Sequence, residues 1–172
     1  QEVTLDKSFY TGTTINVTVG VPEGAKFIKW ADASDDEKKV FSGERKESLL
    51  FVADDYEMII ENHSLAGDFT QDAYAFADFI TWMGSEDSSY KSEMETYQEL
   101  KIGGLDAFGI YVELSNAQFY YVDMMPIFPD SNGNLVLDLC VKPKDKSVSA
   151  TDIVKSEEFK AVLDSIKIEA AK

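Results

Sequence analysis

The stretch Asp106-Ala-Phe-Gly-Ile-Tyr-Val-Glu-Leu114 decides the fold. In an extended chain Phe108, Ile110, Val112 and Leu114 line one face, while Ala107 and Gly109 lie on the other. Those small residues admit a close neighbour, so this side of the strand is expected to be covered by a helix. Further strand patterns flank it over Glu95 to Ile102, Gln118 to Met125 and Asn134 to Lys142, and the four together form the heart of a sheet. Ser115-Asn116 reads as a hairpin turn, and Asn132-Gly133 within Asp130-Ser-Asn-Gly-Asn134 is the strongest short hairpin signal in the chain.

Working outward toward the N-terminus, Ala73, Phe76, Ala77, Ile80 and Met83 fall at helical spacing. Thr70 can cap that helix, Asp72 lies in its first turn, and Gly84 follows its end. Tyr74, Phe79 and Trp82 widen its apolar stripe, which predicts deep burial. Ser85 to Ser92 reads as a polar loop. Before the helix, Leu49 to Ala53 and Tyr56 to Glu61 make an antiparallel pair joined at Asp54-Asp55. Earlier still, Ile15, Val17 and Val19 alternate with Thr14, Asn16 and Thr18 in a strand that Val21-Pro-Glu-Gly24 stops. Phe27, Ile28 and Trp30 suit a short strand or turn-like segment, and the charged run Asp32 to Lys39 reads as an exposed loop. At the other end Ser156 caps a helix with Glu157 and Glu158 in its first turn and Phe159, Val162, Leu163 and Ile166 on one face.

Roughly seven strands with mostly hairpin connections, interrupted by one helix and closed by another, define an α+β class with an antiparallel sheet. The 172 residues suit one domain, with neither a repeat nor a low-complexity linker at which to divide them. Residues 1–12 read as an N-terminal arm and 13–172 as the domain. A formal charge of −16 excludes nucleic acid as a natural partner, because phosphate binding needs a cationic face. Anionic membrane surfaces are disfavoured for the same reason. No run approaches the ~20 apolar residues of a membrane-spanning helix. The chain starts at Gln1 without a signal segment, and with its many Thr, Ser, Asp and Tyr residues it reads as an exported domain trimmed of its anchor.

The residues give little support to catalysis or to a resident cofactor. The single Cys140, inside Leu135-Val-Leu-Asp-Leu-Cys-Val141, reads as a small buried hydrophobe with neither a disulfide nor a thiolate metal site to serve. His63, the only histidine, lies past a strand end without a nucleophile elbow and reads as a solvated loop residue. Gly103-Gly104 precedes a strand, so it lacks the helix N-terminus that would hold a phosphate and reads as a turn. The carboxylate pairs Asp35-Asp36-Glu37, Asp54-Asp55 and Glu157-Glu158 are what any acidic chain offers. Asp130-x-Asn132-x-Asn134 imitates the opening of a calcium loop, but Leu135 stands where that loop needs glycine and Val141 where it needs glutamate. Tyr120, Tyr121, Trp82 and Met124-Met125 could line a groove, although aromatics in alternating strands more often pack. Asn16-Val-Thr18 and Asn62-His-Ser64 fit the glycosylation triplet at a frequency chance explains.

In order along the chain, Thr14-Ile-Asn-Val-Thr-Val-Gly-Val-Pro22, Ile102-Gly-Gly-Leu-Asp-Ala-Phe-Gly-Ile-Tyr-Val112, Tyr120-Tyr-Val122 and Phe159-Lys-Ala-Val-Leu-Asp-Ser-Ile-Lys-Ile168 resemble the PsbP-like superfamily. The resemblance spans residues 13–169. That superfamily includes the extrinsic P subunit of photosystem II, a nuclear-import factor that binds the GTPase Ran, and many bacterial exported lipoproteins. It implies an α/β/α sandwich: a central antiparallel sheet of about six to seven strands, helices on both faces, and a last helix running into a short strand over Ile166 to Glu169. Histidine-based metal binding has only His63 to work with, and no Ran-binding surface can be matched residue by residue, which leaves the bacterial exported branch.

The functional expectation is a non-catalytic extracytoplasmic domain, envelope-associated or secreted, that binds another protein and meets the membrane only through a removed N-terminal anchor. No cofactor, catalytic residue or metal ligand is assigned. The alternative is a binder of small molecules or divalent cations, with a pocket between sheet and helix. The acidic surface favours basic partners or cations at long range.

Overall fold

Rows of apolar side chains crossing hairpin-linked strands build the larger of two antiparallel sheets. The computed structural model describes residues 2–8, 14–41, 45, 48–62, 90–95, 101–114, 119–130 and 133–170. Its strands are β1 (Glu2–Ser8), β2 (Thr14–Gly20), β3 (Lys26–Lys29), β4 (Leu49–Val52), β5 (Tyr56–Asn62), β6 (Tyr90–Glu95), β7 (Lys101–Ile102), β8 (Leu105–Leu114), β9 (Phe119–Asp130), β10 (Gly133–Pro143) and β11 (Lys167–Ala170). Its helices are α1 (Asp35–Lys38), α2 (Ala150–Lys155) and α3 (Glu157–Ser165), with a 3-10 turn over Trp30–Asp32. The larger sheet runs β3-β4-β5-β10-β9-β8-β6, with β7 also on β8, and the smaller runs β1-β2-β11. The class is α+β.

Register divides the side chains of the larger sheet between its faces. Phe27, Phe51, Met58, Val141 and Val122 are successive cross-strand partners, and Leu49, Ile60, Leu139 and Met124 form the next row of the same face. This face holds the larger core, completed by Ile15, Val17 and Val19 of β2, Ile153 of α2, Phe159 and Val162 of α3, and Ile168 of β11. Tyr56 stacks on Phe51 at 6.0 Å between ring centres and meets the Phe159 ring edge-on at 5.6 Å. Ala107 joins this core, so this side of β8 is buried at that position. On the opposite face Ile28, Leu50, Ile59 and Cys140 are partners across four strands, with Trp30, Ala33 and Phe41 packed over them.

Turn chemistry accounts for several connections. Gly103 and Gly104 adopt φ of 61° and 78° between the Ile102–Leu105 pair, the left-handed two-residue turn that glycine permits. Asp54-Asp55 closes the β4–β5 hairpin, with Ala53 N–H donating to the Tyr56 carbonyl at 3.0 Å. Ser149 and Ser156 cap α2 and α3 through their side chains. β11 stands where the terminal strand was expected, and Cys140 is buried and free.

The chain departs from the sequence reading in five places. Residues 2–8, read as part of an arm, pair along the whole of β2, and β2 belongs with β1 and β11 to a second sheet. Asp32 to Lys39, read as an exposed loop, contains α1, stabilised by a capping box in which Ser34 Oγ accepts from Glu37 N–H and Glu37 Oε2 accepts from Ser34 N–H at 2.8 Å. Of the expected strand Glu95 to Ile102, Glu95 ends β6 and Lys101–Ile102 forms β7, both on β8, with 96–100 outside the described residues, and β6 takes in residues 90–92 from the expected loop. β9 continues through Pro126 and Pro129 because the β10 register is kept on both sides of Pro126, where the missing N–H only interrupts the ladder. Gly133 pairs with Asp130, so the β9–β10 connection is residues 131 and 132, one position earlier than Asn132-Gly133. The helix expected over 70–83 and His63 lie outside the described residues.

Candidate functional site

Two recesses flank the β4–β5 turn, one on each side of the larger sheet. The first, a cleft of ≈ 670 Å³, lies between α3, the β2–β3 connection and the Asp54-Asp55 turn. Its walls are fixed by backbone contacts. Gly20 N–H donates to Ser165 Oγ at 2.8 Å, and a side chain at Gly20 would collide with Ser165, so β2 and the end of α3 meet at van der Waals distance. Val21, Tyr56 and Val162 give the cleft an apolar floor, and the exposed carboxylates Glu23, Asp54, Asp55 and Glu158 rim it. Among the described residues the lining contains neither lysine nor arginine. Burial, followed by the negative charge of Asp55 and Glu158, pushes the Tyr56 phenol above its ordinary range. That shift is an electrostatic sign that carboxylates from two separate elements converge on this ring.

The second recess, of ≈ 430 Å³, lies between α1 and the end of β10, with Val40 and Pro143 as apolar walls. Glu57 of β5 lines it. Tyr56, Met58 and Ile60 face the larger core, so Glu57 points to the opposite face, where it is 1% exposed and its Oε2 has no hydrogen-bond partner. Burial is the main reason that its carboxyl is pushed up to about 7, against the lowering effect of Lys144. Neighbouring polar groups are occupied. Glu37 pairs with Lys26, Asp36 with Lys39, and Lys144 Nζ donates to the Ala53 carbonyl. Further along this face Glu61 accepts from Arg45 and from Ser48 Oγ, while Arg45 and Lys142 stand over the Phe41 ring at 5.7 and 4.8 Å.

The acidic pairs noted in the sequence are thus distributed by role. Asp54-Asp55 and Glu158 meet at the first cleft, whereas Asp35-Asp36-Glu37 opens α1, where negative charge suits a helix N-terminus. Asp130 and Asn134 belong to the β9–β10 ladder, and Met124 is core packing rather than groove lining. The Asn16 amide oxygen is buried in mid-strand, a poor setting for a glycan. Among the described residues no three His, Cys, Asp or Glu side chains gather in a way that could hold a metal ion, and no helix is long and apolar enough to cross a membrane. The sequence reading assigned no binding residue. The convergence at the first cleft was hidden because the β4–β5 turn and the start of α3 are a hundred residues apart, although both carry acidic pairs at element ends.

These features define an α+β domain with charged recesses on both sides of one hairpin turn. No family model matches the sequence, and no curated protein matches it. Among solved structures the chain is similar to LpqN of Mycobacterium tuberculosis, a protein involved in cell envelope biogenesis, at a TM-score of 0.48 and 10% sequence identity, over 98% of this chain and 90% of that one.

Proposed function

We propose that this chain is a non-catalytic, extracytoplasmic domain of PsbP-like α/β/α architecture that acts as a protein-interaction module, with the first cleft as its docking site for a basic segment of a partner. The observation that carries this reading is the cleft itself: four carboxylates around an apolar floor, with no cation among the described lining residues. Such a surface complements a Lys/Arg side chain flanked by aliphatic residues, since rim charges steer encounter and the apolar floor contributes burial. A chain charge of −16 reinforces that steering. Extracytoplasmic placement is supported by the composition and by the resemblance noted above.

The test is crosslinking capture from an envelope extract of the source cells at low and high salt, with the wild-type domain beside the triple variant Asp54→Asn, Asp55→Asn, Glu158→Gln. The expected result is a partner recovered by wild type, lost at high salt and lost with the variant. Equal recovery by both proteins would remove the cleft from the interaction. The substituted side chains are exposed and isosteric, so the variant is expected to fold normally.

A further inference from the structure

A buried carboxylate oxygen with no hydrogen-bond partner is costly, and a few cases per hundred residues at most are tolerated in native proteins without a structural or functional reason. Glu57 Oε2 is such an atom, and its side chain lines a recess rather than a sealed core. An apolar residue of similar size would avoid the cost altogether, and glutamine would remove the charge, so local packing does not call for a carboxylate. The group is unlike Glu61 on the same strand, which has both Arg45 and Ser48 as partners.

The surroundings narrow the chemistry of the missing partner. Among the described lining residues the acids Asp36, Glu37 and Glu57 balance the bases Lys39, Lys144 and Lys146 when Glu57 is ionised. Asp36, Lys39, Glu37 and Lys144 are already engaged by one another, by Lys26 or by a backbone carbonyl. What remains is a buried acceptor, Glu57, and an exposed cation, Lys146, in a lining that also includes the apolar Val40 and Pro143. The volume of ≈ 430 Å³ lies inside the range of about 300–1,000 Å³ usual for small-ligand sites. We propose that this recess binds a small zwitterion of the α-amino-acid class, its ammonium group on the Glu57 carboxylate and its carboxylate toward Lys146. The terminal torsion of a glutamate is broad and soft, so a small rotation presents an Oε atom to the recess.

Ammonium binding requires the ionised carboxylate. Glu57 titrates at about 7 under the combined influence of burial, Lys144 and Lys26 in one direction or the other, and Glu37, while Lys142 across the strand is turned over Phe41. About a tenth of Glu57 is ionised at pH 6 and nine-tenths at pH 8, so affinity is expected to fall about tenfold between those values, with proton release on binding.

The experiment is isothermal titration of the intact chain with each of the twenty standard α-amino acids at pH 8. The tightest is then repeated at pH 6, as its carboxamide and as its N-acetyl derivative, and with the Glu57→Gln and Lys146→Ala variants. The expected result is saturable binding that weakens about tenfold at pH 6, is lost with the N-acetyl derivative and with Glu57→Gln, and weakens with the carboxamide and with Lys146→Ala. Failure of all twenty to bind, or binding that survives either Glu57→Gln or N-acetylation, would overturn the proposal. Glu57→Gln keeps the side-chain shape and removes a buried charge, and Lys146 is exposed, so neither loss of binding would be a loss of fold. The acidic cleft takes no part in these readouts, so this result and that of the capture experiment stand independently.

Discussion

On one face of the β3-β4-β5-β10 region, Phe27, Phe51, Met58 and Val141 stand in one row and Leu49, Ile60 and Leu139 beside them; on the other, the apolar row Ile28-Leu50-Ile59-Cys140 is bordered by Glu57, Glu61 and Lys142. Among the described residues, the first face is covered by two helices and strands of a second sheet, and the segment from Trp30 to Phe41 packs on the second. Thick cover permits an all-apolar surface. Among the described residues the second face carries charged side chains at its margins, some paired, with Glu57 lacking a hydrogen-bond partner on Oε2. The difference teaches that the same strands present an unbroken apolar surface on one side and a mixed apolar and charged one on the other.

The strongest way to break that division is to remove a large side chain from the first face. Phe51 is fully buried and in contact with the Tyr56 ring. Phe51→Ala is expected to cost about 3–5 kcal/mol in denaturant unfolding, from lost transfer energy and an unfilled cavity. A cost below about 1 kcal/mol would mean that the larger core is far looser than its burial implies.

Next in size is a change on the second face that should raise stability. Folding lifts the Glu57 carboxyl from 4.5 to about 7. Between those pH values the native state binds more protons than the unfolded chain, so this group makes stability fall as pH rises through the window and leaves it level above it. A shift of this size corresponds to about 3 kcal/mol. Glu57→Gln is therefore expected to match wild type near pH 4.5 and to exceed it by up to about 3 kcal/mol at pH 8, in unfolding curves collected across that range. A gain independent of pH would show that the carboxylate does not titrate as a buried group.

A third test attacks the cover of the first face rather than the face itself. Gly103 has φ of 61°, and a Cβ there would lie 2.9 Å from the Ile168 backbone nitrogen and crowd its side chain. Ile168 belongs to the larger core, and Gly103 is bridged to Lys167 beside it, so this turn fixes where β11 docks. Gly103→Ala is expected to cost about 1–3 kcal/mol. Gly104→Ala shares the left-handed backbone but meets nothing within 4 Å, so it should cost less. Equal costs would assign the effect to backbone conformation alone.

What could be read in the sequence follows the same division. Alternation in Ile15-Val17-Val19, the apolar run Tyr56 to Glu61, the Asp54-Asp55 turn and the Ser156 cap were all legible, because each depends on a local pattern or on one capping side chain. The membership of β2 in a separate sheet was not, since strand alternation says which face is buried but not which strand lies alongside. Nor was the second recess. Burial of Glu57 depends on residues 30–41 folding over β5, and Asp35-Asp36-Glu37-Lys38-Lys39 has the look of a solvated run. The signal was present in Ser34-x-x-Glu37, the spacing of a capping box, flanked by Trp30, Ala33 and Phe41 at apolar positions too irregular to read as a helix stripe.

The smallest effect compares the caps that hold the two covers in place. Ser156 Oγ accepts from Phe159 N–H at 3.2 Å and also donates to the Ile153 carbonyl at 2.7 Å, joining the end of α2 to the start of α3. Ser34 Oγ accepts one bond from Glu37, and the reciprocal bond from Ser34 N–H to Glu37 Oε2 does not need the hydroxyl. Ser156→Ala should therefore cost about 1 kcal/mol and Ser34→Ala about half of that. Hydrogen exchange gives the sharper reading. Ser34→Ala should speed exchange at Glu37 and Lys38 alone, because α1 is a single turn with no buried residue, whereas Ser156→Ala should loosen the first turn of α3, whose Phe159 anchors the helix against Tyr56. If Ser34→Ala instead opened amides in β5, the segment from Trp30 to Phe41 would be an integral part of the second face, and Glu57 would owe its burial to that one capping hydroxyl.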